Sequence, residues 1–253
     1  MNENQLCLNA DKTHLLVTGT CQRLRKMNIS EKIDIEMNGF KISQSDEQSE
    51  YLLGVYIQSD LKWRKQIDEL KSKLKTRLAG LRTIRNIVSS LKIRKQIAEG
   101  VFTSILVYCM PLWGGCSKGE IQQLQVIQNE AAQHVLKLPR RSGRKEMFDS
   151  LGWLSVNQLV FFTTVMAVYK IRRSGEPEYL AKKMNYDNFR GRLVVPHTDL
   201  SLAKDSFCFR GGDFWISLPE TLRSIKDIGR FKTALKNFTM KKIPQFLDKT
   251  TNI

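Results

Sequence analysis

Phosphoryl transfer, thiol chemistry, zinc binding and acyl transfer each need particular side chains held close together. The 253-residue sequence offers none of these sets in recognisable spacing. Its histidines, His14, His134 and His197, are far apart in sequence, and none lies near a Ser or Cys nucleophile motif. Cys7, Cys21, Cys109, Cys116 and Cys208 include no C-x2-C or C-x4-C pair, which argues against a zinc site or a disulfide framework. Unpaired thiols fit a reducing, intracellular compartment. There is no P-loop and no G-x-G-x-x-G. A two-metal centre needs convergent carboxylates to hold its Mg2+ ions, and the chain has no Asp-Asp pair. Asp46-Glu47 falls in a polar loop and Asp68-Glu69 on a basic helix. No catalytic residue, metal ligand or cofactor is therefore expected in this chain.

What the sequence does offer is positive charge. Lys and Arg total 41 against 25 Asp and Glu, a net charge of +16. Such an excess points to a polyanion, nucleic acid before a membrane surface. The charge is uneven: residues 1–60 carry a net −3, residues 61–145 a net +13, and the remainder +6. The central third is thus a patch and not a general bias. Its candidate phosphate contacts are Lys62, Arg64, Lys65, Lys71, Lys75, Arg82 and Arg85, followed by Arg140 and Arg141 in the run RRSGRK. Trp63 heads the same segment, where it could stack on a base but better suits a core position. No signal peptide is visible at the N-terminus. The longest apolar stretch, Val101 to Trp113, is too short to span a bilayer, so no membrane partner is expected.

These residues need elements to position them. The first third reads as strands: a short apolar run from His14 to Thr18, an alternating hairpin from Ile33 to Ile42 around Asn38-Gly39, and a strand from Tyr51 to Ile57 with Gly54 marking a bulge or a close backbone approach. The middle third reads as helices. Ile67, Leu70, Leu74, Leu78, Leu81, Ile84, Val88 and Leu91 recur every three or four positions, so a helix over 61–91 is predicted, with Asp60 as its N-cap. Further helices are predicted over 93–107, 119–138 and 156–172. From Ser174 the pattern is irregular, with aromatic segments such as SFCFRGGDFW and a closing helix over 229–238. The expected fold class is α+β, mainly α, with a small antiparallel β region, a helical bundle and a short irregular C-terminal region.

The order of several motifs resembles the reverse transcriptases of non-LTR (LINE-type) retrotransposons, with the jockey or chicken-repeat type as the closest branch. Asn9-Ala10-Asp11-Lys12-Thr13 before a strand resembles the family's LN-x-x-KT segment. Tyr51 to Ile57 followed by Leu61-Lys62-Trp63 is similar to its YLG strand and the L-x-W that opens the thumb. Tyr108-Cys109-Met110-Pro111-Leu112-Trp113-Gly114 resembles its Y-x-x-P-L-W-G, and Gln125 to Ala132 its LQ-x-x-A helix. Ser206 to Pro219 with Phe231-Lys232 resembles a C-terminal element with an aromatic-rich strand, W-x-x-LP and a short FK helix. No single motif is specific, but the five fall in order over nearly the whole chain.

The resemblance implies an RNA-directed DNA polymerase part made of a palm remnant at 1–59, a helical thumb at 60–173 and a C-terminal element at 174–253. It implies that Lys12 lies near the incoming nucleotide, and that Leu53 and Gly54 form the primer grip. Template–primer duplex, RNA–DNA or DNA, is the implied partner, along with the palm and fingers of a longer polymerase. The family's Asp-Asp hairpin and its Mg2+ ions belong to segments upstream of the matching region, so this chain alone is expected to be inactive. The competing expectations are a relic without function and a domesticated protein-interaction module.

Overall fold

A computed structural model describes residues 13–26, 35–37, 40–42, 48–140, 142–184 and 199–243. Lys12, Arg141, the Asn38-Gly39 dipeptide and Asp46-Glu47 lie outside the described residues. The architecture is α+β and mainly α, with two small antiparallel hairpins. The chain divides into two compact units, 1–67 and 68–253.

The first unit holds a short helix α1 (Cys21–Lys26), the pair β1 (Ile35–Met37) and β2 (Phe40–Ile42), and the pair β3 (Ser49–Leu52) and β4 (Val55–Gln58). β1 and β2 are antiparallel, with Met37 opposite Phe40. The run from His14 to Thr18 is not a strand; Leu15 makes a single bridge. Tyr51 to Ile57 is not one strand either. It folds back on itself, pairing Leu52 with Val55 and Tyr51 with Tyr56. The two turn residues, Leu53 and Gly54, both have positive φ, 47° and 85°. That is the signature of a type I′ turn, whose twist matches that of the flanking strands. Glycine enters this region freely, whereas leucine does so at a cost of ~1–2 kcal/mol. The apolar run therefore concealed a hairpin, because leucine is not the residue such a turn selects.

The helix predicted over 61–91 is α2 (Arg64–Ile87). Its stripe is buried at Ile67, Leu70, Leu74, Leu78 and Leu81. Asp60 is not its N-cap. The first helical bond runs from Ile67 N–H to the Trp63 carbonyl, 2.8 Å. Asp60 sits one turn earlier, accepting from Lys62 N–H at 3.0 Å and from the Arg64 guanidinium at 2.9 Å. The free N–H of Lys65 is instead taken by the Gln58 side chain, 2.8 Å. In return the buried Gln66 side chain accepts from Tyr56 N–H at 2.9 Å. Two glutamines thus tie β4 to the first turn of α2, and each satisfies a backbone donor that its own element leaves open.

The second unit is helical among its described residues. α3 (Leu91–Ala98) runs through a π-helical turn, Glu99–Thr103, into α4 (Ser104–Val107). α5 (Met110–Trp113) follows after Cys109, which is left-handed. Along this run Ala98, Phe102 and Leu106 are all fully buried at strict four-residue spacing. On a 3.6-residue helix that spacing drifts by ~40° per step. The π turn, with its longer repeat, takes up part of the drift. α6 (Lys118–Leu136) and α8 (Val156–Ser174) each open with a complete capping box, Ser117 with Glu120 and Ser155 with Gln158. Between them lies α7 (Arg144–Leu151), which opens on the last two residues of the basic run.

α8 is the hub. It packs against α5, α6, α9 (Glu178–Met184), α11 (Phe207–Ile216) and α13 (Ile228–Lys242), with α10 (Ser201–Lys204) and α12 (Glu220–Arg223) as short connectors. The segment 144–174 has the length and apolarity of a bilayer span, but 67% of its most apolar window is buried, as in a core helix. Ser206 to Trp215, expected as an aromatic-rich strand, is the helix α11. Ser206 caps it, and Gly211 and Trp215, four apart, face the core. A Cβ at Gly211 would lie 2.8 Å from a Val168 methyl, so the glycine lets α11 approach α8. Across this core Tyr169 stacks on Phe231 at 4.0 Å. The C-terminal region is thus more helical than expected and shares the core of the bundle.

Leu53→Asn should raise stability by about 1 kcal/mol, because asparagine tolerates the left-handed region and Leu53 is 84% exposed. Chemical denaturation checks this; a loss of stability would mean that the leucine packs in the folded state.

Candidate nucleic-acid interface

The part of α2 within the second unit lies alongside α6. Lys71 Nζ donates to Gln123 Oε1 at 2.7 Å, and the Arg85 guanidinium donates to the Lys137 carbonyl at 3.3 Å. Both bonds join residues 52 positions apart. The helices therefore run parallel and in register over the 14 residues between the bonds (71 to 85, 123 to 137), or ~21 Å. Parallel helices end together, and both C-termini carry partial negative charge. Arg94, at the start of α3 and buried, occupies that end. Its guanidinium donates to the Val135 carbonyl of α6 at 2.7 Å, to the Val88 carbonyl at 2.7 Å and to the Ser89 carbonyl.

Along this seam the candidate cations separate into two kinds. Lys71 is paired with Asp68 as well as Gln123, and Arg85 with the Lys137 carbonyl. Lys75, Arg82 and Arg140 are exposed and make no ion pair among the described residues. Lys75, Arg82 and Arg85 lie on one flank of α2, seven and three residues apart. Arg140 follows the end of α6, its carbonyl fixed by the Gln133 side chain at 2.9 Å. His134 marks the point of convergence. Burial lowers its pKa from the ordinary value, and the charges of Arg85, Arg82 and Arg140 push the same way, with Glu130 opposing them. Its Nδ1 is buried without a hydrogen-bond partner. A ring left neutral beside three arginines describes a place where positive potential exceeds its local counter-charge.

The candidates in the first unit are more engaged. Arg64 pairs with Asp60 at 2.9 Å. Lys65 is half-buried, donating to Ser49 Oγ at 2.9 Å while its ammonium sits 4.8 Å above the Tyr56 ring. Lys62 is exposed, and Trp63 is half-buried. Leu53 and Gly54 form the hairpin tip described above. Lys12 and Arg141 lie outside the described residues.

The motif Tyr108 to Gly114 serves packing. Trp113 is fully buried and donates through Nε1 to the Tyr108 carbonyl at 2.8 Å. Arg210 reaches the Pro111 carbonyl at 2.9 Å. Burial lowers the Arg210 pKa to about 10 and raises the Cys116 thiol to about 12. Cys116 is accordingly a thiol at neutral pH and not a nucleophile. Among the described residues no three His, Cys, Asp or Glu side chains converge as a metal site requires. They offer no set that would fit the Mg2+ of a polymerase centre.

What sequence reading missed here is which cations are committed. Arg94 counts toward the +13 patch, yet it is buried inside the fold. Comparison with protein-family models, with curated proteins and with solved structures yields no match.

Arg94→Met should destabilise the second unit by about 3 kcal/mol or more, because three carbonyls lose a buried charged donor; equilibrium denaturation measures it. His134 gives a second expectation. Its folded pKa is depressed, so between that value and the unfolded value near 6.5 the unfolded chain holds more protons. Stability should therefore fall as pH drops below about 6.5, and His134→Gln should flatten that part of the profile in denaturation between pH 5 and 7.5. An unchanged profile would exclude His134 as its source.

Proposed function

We propose that this chain is the duplex-gripping part of a non-LTR retrotransposon reverse transcriptase, binding nucleic acid without sequence preference and without polymerase activity of its own. Two lines support the reading. One is the order of family-like motifs along the sequence. The other, and the observation that carries the binding claim, is the cationic seam in which Arg82, Arg85 and Arg140 surround His134 and Lys75 continues the same flank of α2. A seam of this kind offers guanidinium and ammonium groups to successive phosphates. In this reading the hairpin tip at Leu53-Gly54 is the segment that meets the primer end.

The reaction itself requires carboxylates that hold two metal ions, and the sequence has no Asp-Asp pair to supply them. The chain therefore holds a duplex and leaves chemistry to another part of the polymerase. Protein docking is a second reading, favoured by the exposed Ile87 (75%), Leu91 (44%) and Ile93 (48%) at the corner between α2 and α3.

Binding to a 20-base-pair RNA–DNA duplex, followed by fluorescence anisotropy, should weaken steeply as salt rises from 50 to 200 mM. The triple variant K75Q/R82Q/R140Q should reduce the log–log salt slope by up to ~2.7, at ~0.9 per phosphate contact. Salt-insensitive binding, or a variant identical to the parent, would remove the seam from consideration. Mg2+-dependent extension of the primer by the purified chain would overturn the inactive reading.

A further inference from the structure

α13 carries five cations, Arg230, Lys232, Lys236, Lys241 and Lys242, and no acidic residue between Ile228 and Lys242. All five are exposed, and none makes an ion pair or side-chain hydrogen bond among the described residues. On α2 only part of the cations, Lys75 and Arg82 among them, are unpaired in this way. There Arg64, Lys71, Lys73 and Arg85 are each held by an acidic side chain or a helix-end carbonyl.

The placement of the cations is ordered. On a 3.6-residue helix Arg230 and Lys241 share one edge of the outward face, and Lys232 and Lys236 the other. Between them run Thr233, Asn237 and Met240, which carry no charge. Two cation rows about 10 Å apart therefore flank a narrow neutral strip. The opposite face is occupied: Phe231, Leu235 and Thr239 are fully buried in the core shared with α8 and α11. The outward face has no aromatic or leucine side chain of the kind that anchors a helix in a membrane interface or at the centre of a protein interface.

We infer that α13 is a second polyanion-binding surface, its two rows of cations placed to contact the phosphate backbone of a nucleic-acid duplex. It shares with the proposed function only the class of ligand, because no residue of the α2–α6 seam takes part. A surface of this type is independent of base sequence and acts through counterion release. It would give the chain a second grip on the same polyanion, and so a steeper salt dependence than the seam alone provides.

The test compares three full-length proteins on a 20-base-pair duplex from 50 to 200 mM salt: the parent, the seam variant K75Q/R82Q/R140Q, and the α13 variant R230Q/K232Q/K236Q/K241Q. The α13 variant should lower the salt slope by up to ~3.6 and weaken Kd at least tenfold, with its Tm unchanged because all four positions are exposed. If the fourfold change lowers Tm, the single variants R230Q and K236Q carry the test, each expected to lower the slope by about 0.9. An α13 variant that binds like the parent, beside a weakened seam variant, overturns this inference and leaves the proposed function standing. The reverse result supports α13 and overturns the seam. No binding by the parent at 50 mM salt overturns both. Phosphatidylserine vesicles form the last arm: vesicle binding lost in the α13 variant while duplex binding is unchanged overturns the nucleic-acid assignment in favour of a membrane surface.

Discussion

Two parallel helices that stop at the same level bring their unsatisfied carbonyls, and the negative ends of their dipoles, into one small volume. The second unit depends on how that volume is filled. A guanidinium is suited to the task because its donors fan out in a plane and its charge opposes both dipoles at once. Arg94 supplies it from the helix that begins immediately after α2, bonding to the ends of α2 and α6 together. Arg85 adds a second donor at the α6 end. The same need for cations at this end leaves the neighbourhood electropositive, so the structural requirement and the candidate binding surface have a common origin.

Elsewhere the unit is tied by buried glutamines. Gln125 accepts from Val156 N–H at 2.8 Å, and Gln128 donates to the Leu154 carbonyl at 2.9 Å, so the turn entering α8 is fixed on α6. Gln158 closes its capping box and also reaches the Ile243 carbonyl at 3.1 Å, fixing the end of α13. An amide both donates and accepts without carrying charge, so it can join two backbones in the core without the desolvation penalty of an ion. Among the described residues most lysines and arginines stay on the outside, with Arg94 buried and Arg210 largely so.

Much of this was legible in the sequence, for identifiable reasons. The apolar stripe from Ile67 to Leu81 gave α2 because one face of that helix is buried, and periodicity reports burial. The apolar runs behind α6 and α8 were as clear. The turn at Leu53-Gly54 was not, since periodicity inside a uniformly apolar run cannot show where the chain reverses. For Ser206 to Trp215 the strand was expected from the family-like motif alone, while the helical signal lay in the Ser206 cap and the spacing of Gly211 and Trp215. For the candidate site, composition located the charge but not its partners. Lys65, Lys71 and Arg94 look alike in a sequence and differ entirely in the fold. The closing helix expected over 229–238 is α13, but its cations were not singled out because they are averaged into a C-terminal stretch that also contains acidic residues.

The equal spacing of the two bonds across the α2–α6 seam has a consequence of its own. Lys71 to Arg85 and Gln123 to Lys137 act as matched rulers. A residue inserted in either interval would turn everything beyond it by ~100° and shift it by ~1.5 Å, breaking one bond whichever end is held. These intervals can change length only in concert, whereas the loop before α6 and the run before α7 are under no such constraint. Length variation among descendants of this sequence should therefore gather in those connectors and spare the paired helices.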